Sequence, residues 1–309
     1  MISVVMATRN GEKVLPLTLE SLCQVAIPDG GVEFVIVDNG SDDRTARVLD
    51  EFRPRLPMQI LSEPTPGRAP ALNAGIRKAA GDLIVITDDD VMPDRAWLQA
   101  YAKAAADHED VGLFAGQVRH HWQKSPPRWL ERLAEEGLSY GGTSLEQPEG
   151  PISPNLIKGA NFAVRRHLFD DYQISEDLGY GAHGDMVPGD ESDFARRAVE
   201  DGHSIWFLPD AKLRHIVRPH EVAVWPVLRR YFRIGRGAAA LDPGVFDKGL
   251  PRLFGYPRYL FRTVPVEIGK ALKHALGGDL YSCMKTMIFV AMTVGQAYQW
   301  RMNQCATKS

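Results

Sequence analysis

The sequence predicts an α/β fold: a mostly parallel sheet flanked by helices, with a helical extension at the carboxyl end. Three observations predict it. Short apolar runs recur between amphipathic segments over the first ninety residues, and a strand covered on both faces reads as a continuous apolar run rather than an alternating one. The runs end in polar turns rich in Gly, Asn and Asp, which punctuate strand–helix units. From Ala223 onward the apolar spacing becomes helical, with basic and aromatic residues between.

Taken in order, Ile2–Met6 is a β-rich run, and Leu15, Leu19 and Leu22 mark one face of a helix. Phe34–Val37 is a second buried strand, followed by a helix through Thr45–Phe52. Gln59–Leu61 is a short third strand, and a helix over Ala69–Ala80 leads into the strand Leu83–Ile86. Trp97–Ala106 is helical and Val111–Val118 strand-like. Residues 122–157, with clustered Pro, Gly and Trp, form a loop with one short helix. Phe162–Val164 is a strand, Ser192–Asp201 a helix and Ser204–Leu208 a last strand. The expected organisation is one α/β domain over 1–222, in two halves that divide at about residue 118. A basic, aromatic helical region follows over 223–309.

The near balance of 36 basic and 39 acidic residues hides a split. Residues 205–309 hold 16 Lys/Arg and 6 Asp/Glu, whereas residues 1–204 hold 20 and 33. A basic carboxyl third suits a phosphate-bearing partner or an anionic membrane surface. No nucleic-acid-binding motif accompanies the charge, so nucleic acid is not an expected partner. The three cysteines are odd in number and scattered, which indicates neither a disulfide framework nor a metal cluster and fits a reducing compartment. The amino terminus enters a strand directly, without a signal-peptide pattern.

The most informative stretch is Thr87-Asp88-Asp89-Asp90, three carboxylates closing the run Leu83–Ile86. Like charges packed side by side need a cation or solvent. At the carboxyl end of a strand they suit a hard divalent ion that also holds phosphate oxygens. The turns after the first two strands, Ala7–Glu12 and Asp38–Thr45, match neither G-x-G-x-x-G nor a P-loop. Taken alone, each is equally compatible with ordinary turn chemistry.

In their order, T-R-N-G-E, V-D-N-G-S-D-D-R-T, G-R-A-P-A-L-N-A-G-I, T-D-D-D-V-M-P, K-G-A-N-F-A-V-R-R and G-D-E-S-D-F-A-R-R resemble family 2 glycosyltransferases of the GT-A fold, the type that builds bacterial polysaccharides and glycans. The similarity runs over roughly residues 1–235. It implies that 1–222 is a catalytic domain, with a nucleotide-sugar half to about 118 and an acceptor half over 119–222. The reaction it implies is an inverting transfer of a sugar from a nucleoside diphosphate, commonly UDP, to an acceptor hydroxyl. Thr8, Arg9 and Glu12 would line the nucleotide pocket, Asp38 would contact the base, and Arg68 would sit near the nucleotide. Asp88, Asp89 and Asp90 would form the metal and ribose site, with Asp88 and Asp90 on Mn²⁺ or Mg²⁺ and His215 as a further ligand. Gly159 and Asn161 would lie against donor and acceptor. Arg229, Arg230 and Arg233, at helical spacing, would converge on the diphosphate. The family commonly has Glu then Asp after the glycine of the last motif. Here the order is Asp190 then Glu191, and alignment puts Glu191 at the base position ahead of Asp190. An ordinary carboxyl pKa of about 4 already suits a base at pH 7.

Two other classes remain open at this stage: a nucleotidyltransferase, which would want a Gly-rich basic triphosphate loop, and a non-catalytic nucleotide- or glycan-binding relative, which should have lost the carboxylates. In the tail, Thr286–Trp300 is about fifteen mostly apolar residues, short of a membrane span. Tyr256, Arg258, Tyr259, Phe261, Arg262, Lys270 and Lys273 suit peripheral contact with a bilayer. A homodimer contact or packing within the protein is the competing role. The expected location is cytoplasmic, at the inner face of the plasma membrane, with a glycan or lipid-linked acceptor.

Overall fold

The computed structural model describes residues 1–180, 186–242, 244–246 and 249–306. It contains two compact units: Met1–Gln123 with Ala134–Gly184 and Asp190–Val217, and Lys124–Leu133 with Asp185–Gly189 and Arg218–Ser309.

The chain alternates strands and helices through β1 (Ile2–Thr8), α1 (Leu15–Leu22), β2 (Val32–Asp38), α2 (Thr45–Phe52), β3 (Met58–Ser62), α3 (Arg68–Lys78) and β4 (Leu83–Thr87). There follow β5 (Val91–Pro93), α4 (Trp97–Asp107), β6 (Leu113–Trp122), α5 (Arg128–Glu135), β7 (Gly150–Pro151), β8 (Asn161–Arg165) and α6 (Leu168–Asp171). The short strands β9 (Gly179–Tyr180) and β10 (Met186–Val187) precede α7 (Asp190–Glu200) and β11 (Ile205–Val217).

Among the described residues, nine strands of the first unit form one sheet in the order β3-β2-β1-β4-β8-β6-β11-β5, with β7 added beside β11. The pairs β3–β2, β2–β1, β1–β4 and β6–β11 are parallel, while β8 runs antiparallel to both β4 and β6. Alternate residues of β1 feed opposite layers, as the two-residue period of a strand requires. Ile2, Val4 and Met6 meet Leu15, Leu19 and Leu22 of α1 and Trp97, Leu98 and Tyr101 of α4. Val5, Val35, Ile84 and Ile86 meet Ala69, Leu72 and Ile76 of α3 and Phe194, Ala195 and Ala198 of α7. Each fully buried aliphatic side chain of this kind stabilises by roughly 1.5–3 kcal/mol, enough to fix the register that aligns the strand ends.

The last strand differs from the sequence expectation, which ends it at Leu208. β11 continues to Val217 through a register shift between Leu208 and Lys212 against β6. Pro209, which has no N–H to give a ladder, sits in that irregularity, and pairing resumes beyond it.

The second unit is built from α8 (Val224–Leu241), the hairpin β12 (Arg252–Leu253) and β13 (Tyr256–Pro257), α9 (Leu260–Leu276) and α10 (Leu280–Ala306). α10 packs on α8 and α9. Trp300 is fully buried among Phe246, Leu260 and Ala297, with the Arg252 guanidinium over its ring at 4.8 Å. Among the described residues, no helix is long and apolar enough to cross a membrane.

Candidate active site

The parallel register brings the carboxyl ends of β1, β2 and β4 together. Thr8 stands opposite Asp38, and Met6 opposite Thr87. The turn after β1 passes close beneath the aspartates: Thr8 Oγ1 donates to Asp89 Oδ2 at 2.6 Å. Only glycine fits at position 11, because a Cβ there would lie 2.7 Å from Thr8 Oγ1 and 3.1 Å from Asp89 Oδ2. Thr18 of α1 then pins the aspartate backbone, its hydroxyl donating to Asp89 O at 2.7 Å and accepting from Val91 N at 3.1 Å.

Asp38 Oδ1 accepts from Ser41 N, and Glu12 Oε2 accepts from Arg44 N, so both expected nucleotide residues also shape the neighbouring turns. Arg9 is exposed. Asn39 organises the segment that leads to α3. Its amide donates to Glu63 O and Thr65 O, and its Oδ1 accepts from Gly67 N at 2.8 Å, which delivers Arg68 as the first residue of the helix.

Arg68 ties the site together. Its Nε and Nη2 donate to Asp88 Oδ1 at 3.0 and 2.9 Å, Nη1 donates to Asp190 Oδ2 at 2.8 Å, and Nη2 also donates to Gly159 O at 2.8 Å. Burial works against the guanidinium charge, but Asp88, Asp190 and Glu191 outweigh it and raise the pKa, so the group stays cationic. A fork of fixed donors suits this bridging as a lysine would not. Gly159 packs in turn against Arg68 and Glu191: a Cβ there would meet Arg68 Nη2 at 3.2 Å and Glu191 Oε2 at 3.4 Å.

Asp190 and Glu191 open α7, where the helix dipole favours carboxylates. Their environments push their pKa values apart. Burial opposes the Asp190 carboxylate, but the Arg68 charge and the hydrogen bonds from Glu191 and Arg68 prevail and hold it below its usual range. Glu191 is pushed up to about 8, by burial first and then by the charge of Asp190 and the hydrogen bond between them. A raised carboxyl beside an ionised one is the pattern that separates proton-transfer duties between two acids. It also departs from the ordinary pKa that the sequence reading assigns to the base.

His215 Nε2 lies 3.3 Å from Asp90 Oδ1, brought there by antiparallel pairing of β11 with β5, in which His215 faces Val91. Among the described residues, no three His, Cys, Asp or Glu side chains converge as a ready-made metal cage. The donor set present is one carboxylate, Asp90, and one imidazole, His215, with Asp88 two residues before Asp90 and already engaged by Arg68. That set fits a Mg²⁺ or Mn²⁺ ion which takes its remaining ligands from water and a diphosphate, the usual habit of these ions beside phosphates.

Asn161 and the three arginines expected near the donor fall on other elements. Asn161 does not face the site. It is fully buried, Oδ1 accepts from Trp97 Nε1 and Tyr101 OH at 2.8 Å, and Nδ2 donates to Gln117 O and Ala211 O at 2.9 and 2.8 Å. Every hydrogen-bonding position of the amide is spent on the core. Arg229, Arg230 and Arg233 lie on α8, in the second unit. Sequence reasoning missed Thr18 and Asn39, which touch the backbone of site loops. A Thr facing inward on an otherwise apolar helix face, and an Asn directly after a buried strand, were the available signals.

A family model described as "Glycosyl transferase family 2" matches residues 3–173. Glycosyltransferase AglE of Haloferax volcanii is 26% identical over 76% of this chain and 72% of its own length. The probable glycosyltransferase YdaM of Bacillus subtilis is 25% identical over 76% of this chain, which spans only about half, 54%, of YdaM. Among solved structures, Staphylococcus aureus TarS 1-349 superposes with a TM-score of 0.54 at 16% identity, covering 96% of this chain and 91% of that one; TarS 1-349 has also been solved with UDP and with UDP-GlcNAc. The mannosyltransferase PcManGT of Pyrobaculum calidifontis, solved with GDP-Man and Mn²⁺, superposes with a TM-score of 0.57 at 18% identity over 100% of this chain and 80% of its own. At these identities the superpositions speak for the GT-A fold alone. With more than half of the sequence matched by the family model, the motifs in its order and the fold shared, this chain belongs to glycosyl transferase family 2.

Proposed function

We propose that the protein transfers a sugar from a UDP-linked donor to a hydroxyl of a glycan or lipid-linked acceptor, inverting the anomeric carbon. One observation carries this reading: a single guanidinium, Arg68, joins Asp88 of the triple aspartate to Asp190 beside Glu191. The motif that suits a diphosphate and the motif that suits a base thereby become one site.

In this reading residues 1–222 carry the chemistry. Thr8, Arg9, Glu12, Asp38, Arg68, Asp88, Asp89 and Gly159 line the donor site. Asp90 and His215, with Asp88 beside them, would hold Mn²⁺ or Mg²⁺, whose charge neutralises the leaving diphosphate without proton transfer. Glu191 accepts the proton of the acceptor hydroxyl as its oxygen bonds to the anomeric carbon, and the electron pair of the breaking bond departs on the diphosphate. A carboxylate with a raised pKa is a stronger base once ionised, and Asp190, held by Arg68, orients it. The complexes of TarS with UDP and UDP-GlcNAc and of PcManGT with GDP-Man support a nucleoside-diphosphate sugar as donor, those of TarS support UDP in particular, and the Mn²⁺ of PcManGT supports the ion. A lipid-linked acceptor would bring the protein to the inner face of the plasma membrane.

The test is a panel of UDP- and GDP-sugars incubated with the protein in Mn²⁺ or in EDTA. Released nucleotide is measured, and product configuration is read by NMR. Turnover of a UDP-sugar in Mn²⁺, its loss in EDTA and an inverted product are expected. A product of retained configuration would overturn the mechanism.

A further inference from the structure

We propose that the outward face of α9, together with the tip of the β12–β13 hairpin, docks on an anionic lipid surface. The inference deepens the membrane contact of the proposed function and rests on that reading for its biological sense; its evidence lies wholly within the second unit. Along α9, Phe261, Ile268, Leu272 and Leu276 are exposed, Leu272 at 60% and Leu276 at 91%. At 100° per residue they fall within one stripe that runs the length of the helix, about 22 Å from Phe261 to Leu276. An apolar stripe of this length facing outward needs a cover.

The hairpin tip continues the stripe. Phe254 is 82% exposed and its ring meets that of Phe261 edge-on, with centroids 6.1 Å apart. Its backbone has φ 50°, followed by Gly255 at φ 83°. A two-residue turn with both central residues at positive φ ordinarily takes Asn-Gly. A bulky aromatic there strains the backbone and gains almost no cover within the protein. An outside apolar phase would return what the conformation costs.

Charge selects the occupant. Residues 252–276 hold five Lys/Arg and one Asp/Glu, Glu267, which is paired with Lys270 at 2.7 Å. Arg262 and Lys273, both exposed and three turns apart, edge one flank of the stripe, and Arg258 is exposed just before the helix. Apolar side chains at the centre, aromatic rings at one end and long basic side chains at the edge suit a helix lying in the plane of a bilayer interface, its cations on anionic headgroups. A second copy of the chain would bring the same positive charge against itself.

The test uses the full chain and vesicles of phosphatidylcholine with or without phosphatidylglycerol. Co-sedimentation with the anionic vesicles, weakened by salt, is expected. The triple variant Phe254→Asn/Leu272→Gln/Leu276→Gln and the variant Arg258→Gln/Arg262→Gln/Lys273→Gln should each bind at least about tenfold more weakly. The first should keep or raise its melting temperature, because Asn accepts positive φ. No binding by the wild-type chain, or wild-type binding by the apolar variant, overturns the proposal. So does a wild-type dimer, seen by light scattering, that the apolar variant dissociates. Hydrolysis of the sugar donor, measured alongside, keeps the two readings apart. If no donor is turned over while vesicle binding follows the pattern above, the glycosyl-transfer reading fails and this face stands.

Discussion

Arg68 and Asp190 meet at 2.8 Å across 122 residues of chain, and the same guanidinium holds Asp88. Asp190 is almost completely buried, so removing the cation alone leaves an uncompensated carboxylate. Arg68→Met should therefore cost about 3–5 kcal/mol in chemical denaturation. The double variant Arg68→Met/Asp190→Leu should recover part of that stability and none of the activity. If the single variant is as stable as the wild type, the pair does not hold the site together.

The pH dependence follows from Glu191, whose carboxyl is raised from 4.5 to about 8. As a base it must be ionised, so the acid limb of kcat/KM should lie above pH 7 rather than near 4. Glu191→Gln should lower kcat by about a hundredfold or more. Stability carries the same signature. The native state holds this proton more tightly than the unfolded one, so its contribution is fully present below about pH 4.5 and lost as pH rises through about 8. Denaturation between pH 5 and 8 should thus show a fall in the wild type that flattens in Glu191→Gln.

Asn161→Leu separates scaffold from ligand contact. It would strand four buried groups, the Trp97 indole N–H, the Tyr101 hydroxyl and the carbonyls of Gln117 and Ala211. At about 1–3 kcal/mol for each unsatisfied group, the loss should exceed about 3 kcal/mol. Donor affinity of the protein that remains folded should change little. A stable variant that has lost donor binding would return Asn161 to the donor site.

For the metal, Asp90→Asn and His215→Ala should each raise the Mn²⁺ concentration needed for half-maximal turnover by at least about tenfold. Asp90 should matter more, because a carboxylate supplies charge as well as a donor atom. Full turnover in EDTA would remove the ion from the reaction.

Gly11→Ala should break the Thr8–Asp89 hydrogen bond, since its Cβ enters the space that bond occupies. The expected cost is about 1–3 kcal/mol, read as a shift in denaturation midpoint together with weaker donor binding by calorimetry.

The parallel sheet was legible in the sequence because Val4–Met6, Phe34–Val37 and Leu83–Ile86 are continuous apolar runs, and only burial on both faces accounts for them. The aspartates after β4 and the family were legible too, since charge that cannot be buried announces a site. The partner of Arg68, the raised carboxyl of Glu191 and the inward turn of Asn161 were not. Each depends on groups tens of residues away in the chain, and the sign of a pKa shift depends on which charge and how much burial arrive there. The same holds for β11, where Pro209 reads locally as a strand end but pairing with β6 and β5 carries the strand on to His215. Local propensity and apolar period belong to the chain alone; hydrogen bonds and electrostatics between distant residues exist only once the strands are in register.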